Sequence, residues 1–310
     1  MDDCSSPMVP VIDLHCAPEQ CLETLAAACA DWGFFHVANH GIEAQLVASL
    51  RSASRDFFGL PLHSKQRVSR TKDNPFGYYD RELTKNQRDR KEIFDYAPDE
   101  ATPWPPSPPE FQTTLEEYAQ ACHRLALQLI AMCCEGLGAN RDTLQHHFQR
   151  GHSSFLRLNH YPFSDPLAGV AAPPAGPYGI SQHSDAGAIT VLLQDEVAGL
   201  QVLRNDQWVE VTPVADTLTI NVGDMLQVRS NDLYRAPLHR VRASRGMARY
   251  SAAYFCNPNY STVVAPLPST VSSARASHYQ PVSWAEFRRL RAMGDYGDYG
   301  EEIQISHFRL

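Results

Sequence analysis

The residues of greatest chemical potential in this chain are two histidines and an aspartate. His183 and Asp185 stand at i and i+2 in SQHSDAGAITVLLQD, where the pattern predicts that a strand begins, and side chains two apart leave a strand on one face. Both can therefore reach one ion. His239, in APLHRV further along, offers a third donor from another predicted strand. Two imidazoles and one carboxylate leave three positions open on a cation, a set suited to non-haem Fe(II) that uses O2. Each residue alone has a plainer reading. A histidine in a β-rich region commonly serves as a hydrogen-bonded core or surface residue, and Asp185 before Ala-Gly fits a turn. An H-x-[DE] string also arises about once or twice by chance in a chain with 13 His and 35 acidic residues.

Two further features give the three residues weight. Arg249 and Ser251 fall on the same face of a predicted strand as Ala253 and Phe255, and a guanidinium beside a hydroxyl makes a bidentate receptor for a carboxylate. Asn159 and Tyr161 in LRLNHYP are likewise same-face polar groups, readable otherwise as a hydrogen-bonded core pair. There is no phosphate-binding glycine loop and no nucleophile motif. No general base is assigned.

These residues need a scaffold. From about residue 153 onward FLRLNHYPF, ITVLLQD, LQVLRND, QWVEVTP, LTINVGDMLQVRS, HRVRAS and RYSAAYFCNP read as short strands, the pattern of an antiparallel sandwich or barrel. Helical spacing appears at 18–31, 43–59 and 111–138, and Ser283 with Glu286 forms a capping box that starts one more helix. The stretch 72–110, with PWPPSPPE, is expected to be mostly loop. The class is mainly β with flanking helices.

Composition removes other functions. With 27 Lys+Arg against 35 Asp+Glu, a net charge of −8, nucleic acid is not expected as a partner, and 43% hydrophobic residues suit an ordinary globular chain. No apolar run reaches the length of a membrane span, and the first residues lack the pattern of a secretory signal, so a cytoplasmic protein is expected. All 8 cysteines, Cys16 and Cys21 included, are expected as reduced thiols.

In order and spacing, PVIDL, ACADWGFFHVANHGI, FFGLPLHSK, RLNHYP, H-S-D followed by GLQV, NVGDMLQV, LHRV and R-Y-S resemble the Fe(II)/2-oxoglutarate-dependent dioxygenase superfamily of the isopenicillin N synthase type. The resemblance spans nearly the whole chain, and GYYDRELTKNQRDRKEIFDY with IQISHFR is most similar to plant-type oxygenases of hormones, flavonoids and specialised metabolites. It implies a double-stranded β-helix, or jelly-roll, core with His183, Asp185 and His239 as iron ligands. Arg249 and Ser251 would hold the distal carboxylate of 2-oxoglutarate, helped by Tyr161 and Asn159, and Phe94, Tyr96, Arg157 and Phe255 would line the substrate pocket. Arg157 would favour a substrate carboxylate or phenolate, and the aromatic residues an aromatic or extended apolar body. The implied reaction consumes O2 and 2-oxoglutarate, with ascorbate as an accessory reductant, and hydroxylates, desaturates or cyclises a small-molecule metabolite with release of succinate and CO2. An iron oxidase of the same family that spares 2-oxoglutarate is the alternative enzyme reading, and a jelly roll that binds without turnover is the non-enzymatic one. The implied organisation is an N-terminal region at 1–110, a long-helix region at 111–150, the jelly-roll core at 151–265 and a C-terminal helix and tail at 266–310, folded as one unit and expected as a monomer.

Overall fold

A computed structural model describes residues 8–84, 87–165, 167, 175–243, 246–296 and 303–310, with 292–296 as backbone only. Two sheets dominate. The strands, numbered in chain order, are β1 (Val11–Asp13), β2 (Phe34–Ala38), β3 (Gly77–Tyr79), β4 (Glu92–Tyr96), β5 (Phe155–Tyr161), β6 (Tyr178–His183), β7 (Ile189–Gln194), β8 (Leu200–Arg204), β9 (Gln207–Glu210), β10 (Thr217–Val222), β11 (His239–Arg242) and β12 (Arg249–Cys256). An eight-stranded sheet runs β1-β2-β10-β7-β12-β5-β4-β3, and a four-stranded sheet runs β9-β8-β11-β6. The fold is mainly β, a jelly-roll core with flanking helices.

Alternation along the strands separates two interiors. On β5 and β12, Leu156, Leu158, Ala252 and Tyr254 point outward into the large core, while Tyr161 points inward to join Phe34, Leu200, Val202 and Val241 between the sheets. The outward face is closed by helices α1 (Pro18–Asp31), α2 (Ala44–Phe58) and α3 (Phe111–Gly136). The stripe Leu115, Tyr118, Cys122, Leu125, Leu129 and Cys133 on α3 repeats every three or four residues and is buried throughout. Burial of each large apolar side chain contributes about 1.5–3 kcal/mol, so Leu129→Ala would cost about 2–5 kcal/mol. The last helix, α4 (Trp284–Tyr296), starts where the Ser283 hydroxyl accepts the Glu286 amide at 3.4 Å.

Four sequence expectations change. Within 72–110, β3 and β4 form the edge of the large sheet; β4 places Ile93 and Asp95 on one face and Glu92, Phe94 and Tyr96 on the other, so burial of both leaves no hydrophobic alternation to read. LTINVGDMLQVRS is β10 followed by a short helix, Asp224–Arg229, because the chain turns at Gly223. His183 ends β6 rather than opening a strand, and Asp185 lies in the loop that follows. Cys16 and Cys21 form a disulfide, their Cα atoms 5.8 Å apart, because the turn after β1 folds back onto the first turn of α1. Cys29, Cys122, Cys133, Cys134 and Cys256 are free and buried, and Cys4 lies outside the described residues. Among the described residues no helix is long and apolar enough to cross a membrane.

Candidate active site

The antiparallel register of β6 and β11 sets His183 directly opposite His239. Their ring centroids are 4.3 Å apart, and Asp185 Oδ1 lies 3.7 Å from His183 Nε2 and 3.6 Å from His239 Nε2. One donor atom from each of the three lies within 4.8 Å of the others, the only such cluster among the described residues. Both imidazoles are aimed by backbone. His183 Nδ1 contacts the Ser181 carbonyl at 2.8 Å and His239 Nδ1 the Pro237 carbonyl at 3.1 Å. A carbonyl only accepts, so each Nδ1 carries the hydrogen, and in the neutral ring Nε2 keeps its lone pair for a cation.

Asp185 is aimed in the same way. Its Oδ2 accepts from Thr190 Oγ1 at 2.5 Å and from Asn221 Nδ2 at 2.8 Å, which leaves Oδ1 toward the imidazoles. Burial would raise its pKa, but His239, His183 and the Thr190 bond outweigh burial and hold it well below the usual carboxylate range. Burial, helped by His239, pushes His183 down to about 3. For His239 burial acts downward, and the facing Asp185 overcomes it and raises the pKa. A neutral imidazole beside an ionised carboxylate, with every other polar atom of the set already bonded, fits a divalent cation.

The cluster opens on a cavity of about 190 Å³ between the sheets, to which Arg249, Ser251, Ala253 and Phe255 all contribute. This is the face that alternation along β12 predicts. Arg249 is 1% exposed; its Nη2 donates to Gln194 Oε1 at 2.9 Å, Nε to the Val197 carbonyl at 3.2 Å and Nη1 to Ser251 Oγ at 3.4 Å. The β5–β12 register pairs Arg249 with Tyr161 and Ser251 with Asn159, and the guanidinium lies 5.1 Å from the Tyr161 ring centroid. Phe34 closes another side, edge-on to His239 at 5.4 Å.

Of the residues expected in the substrate pocket, Arg157 and Phe255 line this cavity, and Phe255 stacks on Phe155 at 4.7 Å. Phe94 and Tyr96 do not. They occupy the opposite face of β4 and pack on Trp104, Phe94 also on Phe57 and Phe111, because the pairing of Asp95 with Arg157 gives the inward position to Asp95. Arg157 is itself engaged: Nε and Nη2 take both Asp95 oxygens at 2.8 and 2.7 Å, and Nη1 takes Glu82 at 3.0 Å.

Sequence reasoning missed Gln194, Thr190 and Asn221, although all three follow from alternation once β7 and β10 are placed inward of the same sheet. It also missed Lys91, buried in the cavity wall 2.7 Å from Glu82 and 3.3 Å from Asp89. A charged run such as RDRKE reads as solvated surface, so this network had no local signal.

The 2OG-Fe(II) oxygenase superfamily model matches residues 152–258, and the model of the non-haem dioxygenase N-terminal region, described from morphine synthesis, matches 9–120. The chain belongs to this superfamily and is a non-haem Fe(II)- and 2-oxoglutarate-dependent dioxygenase. Jasmonate-induced oxygenase 4 of Arabidopsis thaliana is 35% identical over 295 residues, 91% of this chain and 81% of the relative. Flavonol synthase/flavanone 3-hydroxylase of Matthiola incana is 31% identical over 90% of this chain and 96% of its own length. Among solved structures, JOX2 in complex with 2OG, Fe and JA superposes with a TM-score of 0.82 at 30% identity, covering 94% of this chain and 87% of that one. The dioxygenase for auxin oxidation of rice gives 0.78 at 26% identity, covering 97% of this chain and 100% of that one.

Proposed function

We propose that His183, Asp185 and His239 hold the Fe(II) of this oxygenase, and that Arg249 and Ser251 receive the distal carboxylate of 2-oxoglutarate beside Tyr161 and Asn159. When bound, Fe(II) supplies the O2-dependent oxidative decarboxylation of 2-oxoglutarate to succinate and CO2, coupled to oxidation of a substrate C–H bond. The protein contributes position and dryness. Arg249, oriented by Gln194 and the Val197 carbonyl, presents a fixed fork to a diacid, and Phe34, Tyr161 and Leu200 exclude water around it. None of the residues assigned here must take a proton from substrate.

The substrate reading is a small organic metabolite with an aromatic or extended apolar body resting against Phe155 and Phe255, oxidised by hydroxylation, desaturation or ring closure. The relatives named for flavanone hydroxylation and auxin oxidation support this class. Because Asp95 and Glu82 already engage all three Arg157 nitrogens, that end of the cavity favours a hydrogen-bonding hydroxyl or carbonyl over the full carboxylate that an unpaired arginine would attract.

The observation that carries this reading is the convergence of the three donors within 4.8 Å at the floor of a cavity that also holds Arg249. The experiment is a metabolite screen for substrate-stimulated succinate release with Fe(II) and ascorbate. One succinate formed per substrate oxidised is expected. Substrate oxidation without succinate would replace this reading by the oxidase alternative, and no turnover with any metabolite class would favour a binding role.

A further inference from the structure

The segment carrying two of the three donors, His183 to Ala188, is gripped from two sides. On one side the backbone that follows β10 is threaded against it: Asp224 N donates to the Asp185 carbonyl at 2.7 Å, Gly223 N to Ala188 at 2.9 Å and Met225 N to Gly187 at 3.0 Å. On the other side stands Arg291, from the C-terminal helix α4 and more than a hundred positions away in sequence. Its Nη2 donates to the carbonyl of Ser184, the residue between His183 and Asp185, at 2.9 Å, and its Nη1 to Asp224 Oδ2 at 3.0 Å. Arg291 is 7% exposed and Asp224 1%.

We propose that Arg291, held by Asp224, is a positioning residue for the metal: it fixes the Ser184 peptide plane and thereby the relative aim of the His183 and Asp185 side chains. This rests on the reading of those two residues as ligands. A buried arginine is an expensive way to dock a helix that already buries Trp284 and Phe287, and a second cation near a metal site works against the metal's charge. The cost is explained if the fork is needed where it lands. A guanidinium reaches a carbonyl and a carboxylate at once in one rigid plane, which an ammonium does not. The same helix brings Arg288, one turn earlier, to the cavity wall, so docking of α4 sets the substrate side and the metal side together.

Arg291→Met keeps the length and apolar contact of the side chain and removes both bonds. Titrating Co(II) into the metal-free full chain, followed by its visible bands, should give a dissociation constant about 10–100-fold weaker than wild type, the range found when groups orienting a ligand are lost. Arg291→Lys should recover part of it through Asp224. Leu129→Ala, a core truncation on α3 away from Arg291 and the cavity, should lower the melting temperature and leave the Co(II) constant within about twofold. Arg291→Met within about twofold of wild type, or Leu129→Ala weakening Co(II) as much as Arg291→Met, would overturn the proposal. His183→Ala is the control for the ligand reading: undiminished Co(II) binding there would refute that reading instead.

Discussion

His239 opens β11 opposite His183, the last residue of β6, and this single pairing delivers two imidazoles to one point with ring centroids 4.3 Å apart. Antiparallel strands place directly opposed Cβ atoms about 4.5–5.5 Å apart, so the ladder itself sets the separation of the two donors. The aspartate then needs only the two-residue step into the loop. The centre is therefore as rigid as the sheet beneath it, and its sensitivity to change lies in the groups that aim the side chains.

Asn221 and Thr190 hold the Asp185 oxygen turned from the imidazoles. Asn221→Ala removes one of the two bonds that aim the carboxylate, and metal affinity should fall about 10–100-fold alongside a stability loss of about 1–3 kcal/mol for the buried hydrogen bond. Calorimetric titration of Mn(II) into each variant measures it.

Arg249 donates to the side chains of both Gln194 and Ser251. Arg249→Ala should raise the KM for 2-oxoglutarate by roughly 10- to 150-fold, the equivalent of about 1.5–3 kcal/mol for one charged hydrogen bond. Gln194→Leu should act in the same direction and more weakly, since it removes the support and keeps the fork. Steady-state kinetics with varied 2-oxoglutarate separates the two.

A Cβ at Gly223 would collide with the Gly187 carbonyl oxygen and come within 3.0 Å of the Asp185 carbonyl. Its φ of −104° is open to any residue, so the restriction is one of space alone. Gly223→Ala should cost about 1–3 kcal/mol by overpacking and displace the Asp185 loop, read as a lower denaturation midpoint together with weaker metal binding.

His123 donates to or accepts from the Tyr254 hydroxyl at 2.8 Å and stacks on His152 at 4.3 Å. Burial, with His152 adding to it, pushes its pKa from 6.5 down to about 4, and burial beside Arg229 does the same to His147. The fold thus prefers both rings neutral. Their contribution is fully present above pH 6.5 and is lost as pH falls from 6.5 toward 4, where the unfolded chain binds protons that the folded one does not. The melting temperature should drop between about pH 7 and pH 4.5, and His123→Gln should flatten that drop.

Phe94 tests the parity of β4. Buried among Phe57, Trp104 and Phe111 on the helix side, it should cost about 3–5 kcal/mol when cut to alanine and leave the KM of any accepted substrate unchanged. A raised KM at full stability would return it to the cavity.

The jelly roll and the inward set Arg249, Ser251, Ala253 and Phe255 were legible because β12 is long and unbulged, so a period of two runs through it without slipping. Phe94 and Tyr96 were misplaced because both faces of β4 are mixed, Glu92 with Phe94 and Tyr96 toward the helices and Ile93 with Asp95 inward, so hydropathy does not mark which face meets the cavity. Arg291 could not be foreseen at all: its partners Ser184 and Asp224 are remote in sequence, and no local pattern marks a buried fork. The Cys16–Cys21 pairing likewise depends on how the chain turns after β1.

The most direct measurement is an anaerobic titration of the protein with Fe(II) and then 2-oxoglutarate, followed by the visible charge-transfer absorption of the ternary complex. Wild type should develop the band, His183→Ala should not, and Arg249→Ala should need far more 2-oxoglutarate to reach it. A band of undiminished strength in His183→Ala at the same concentrations would contradict the assignment of the metal centre.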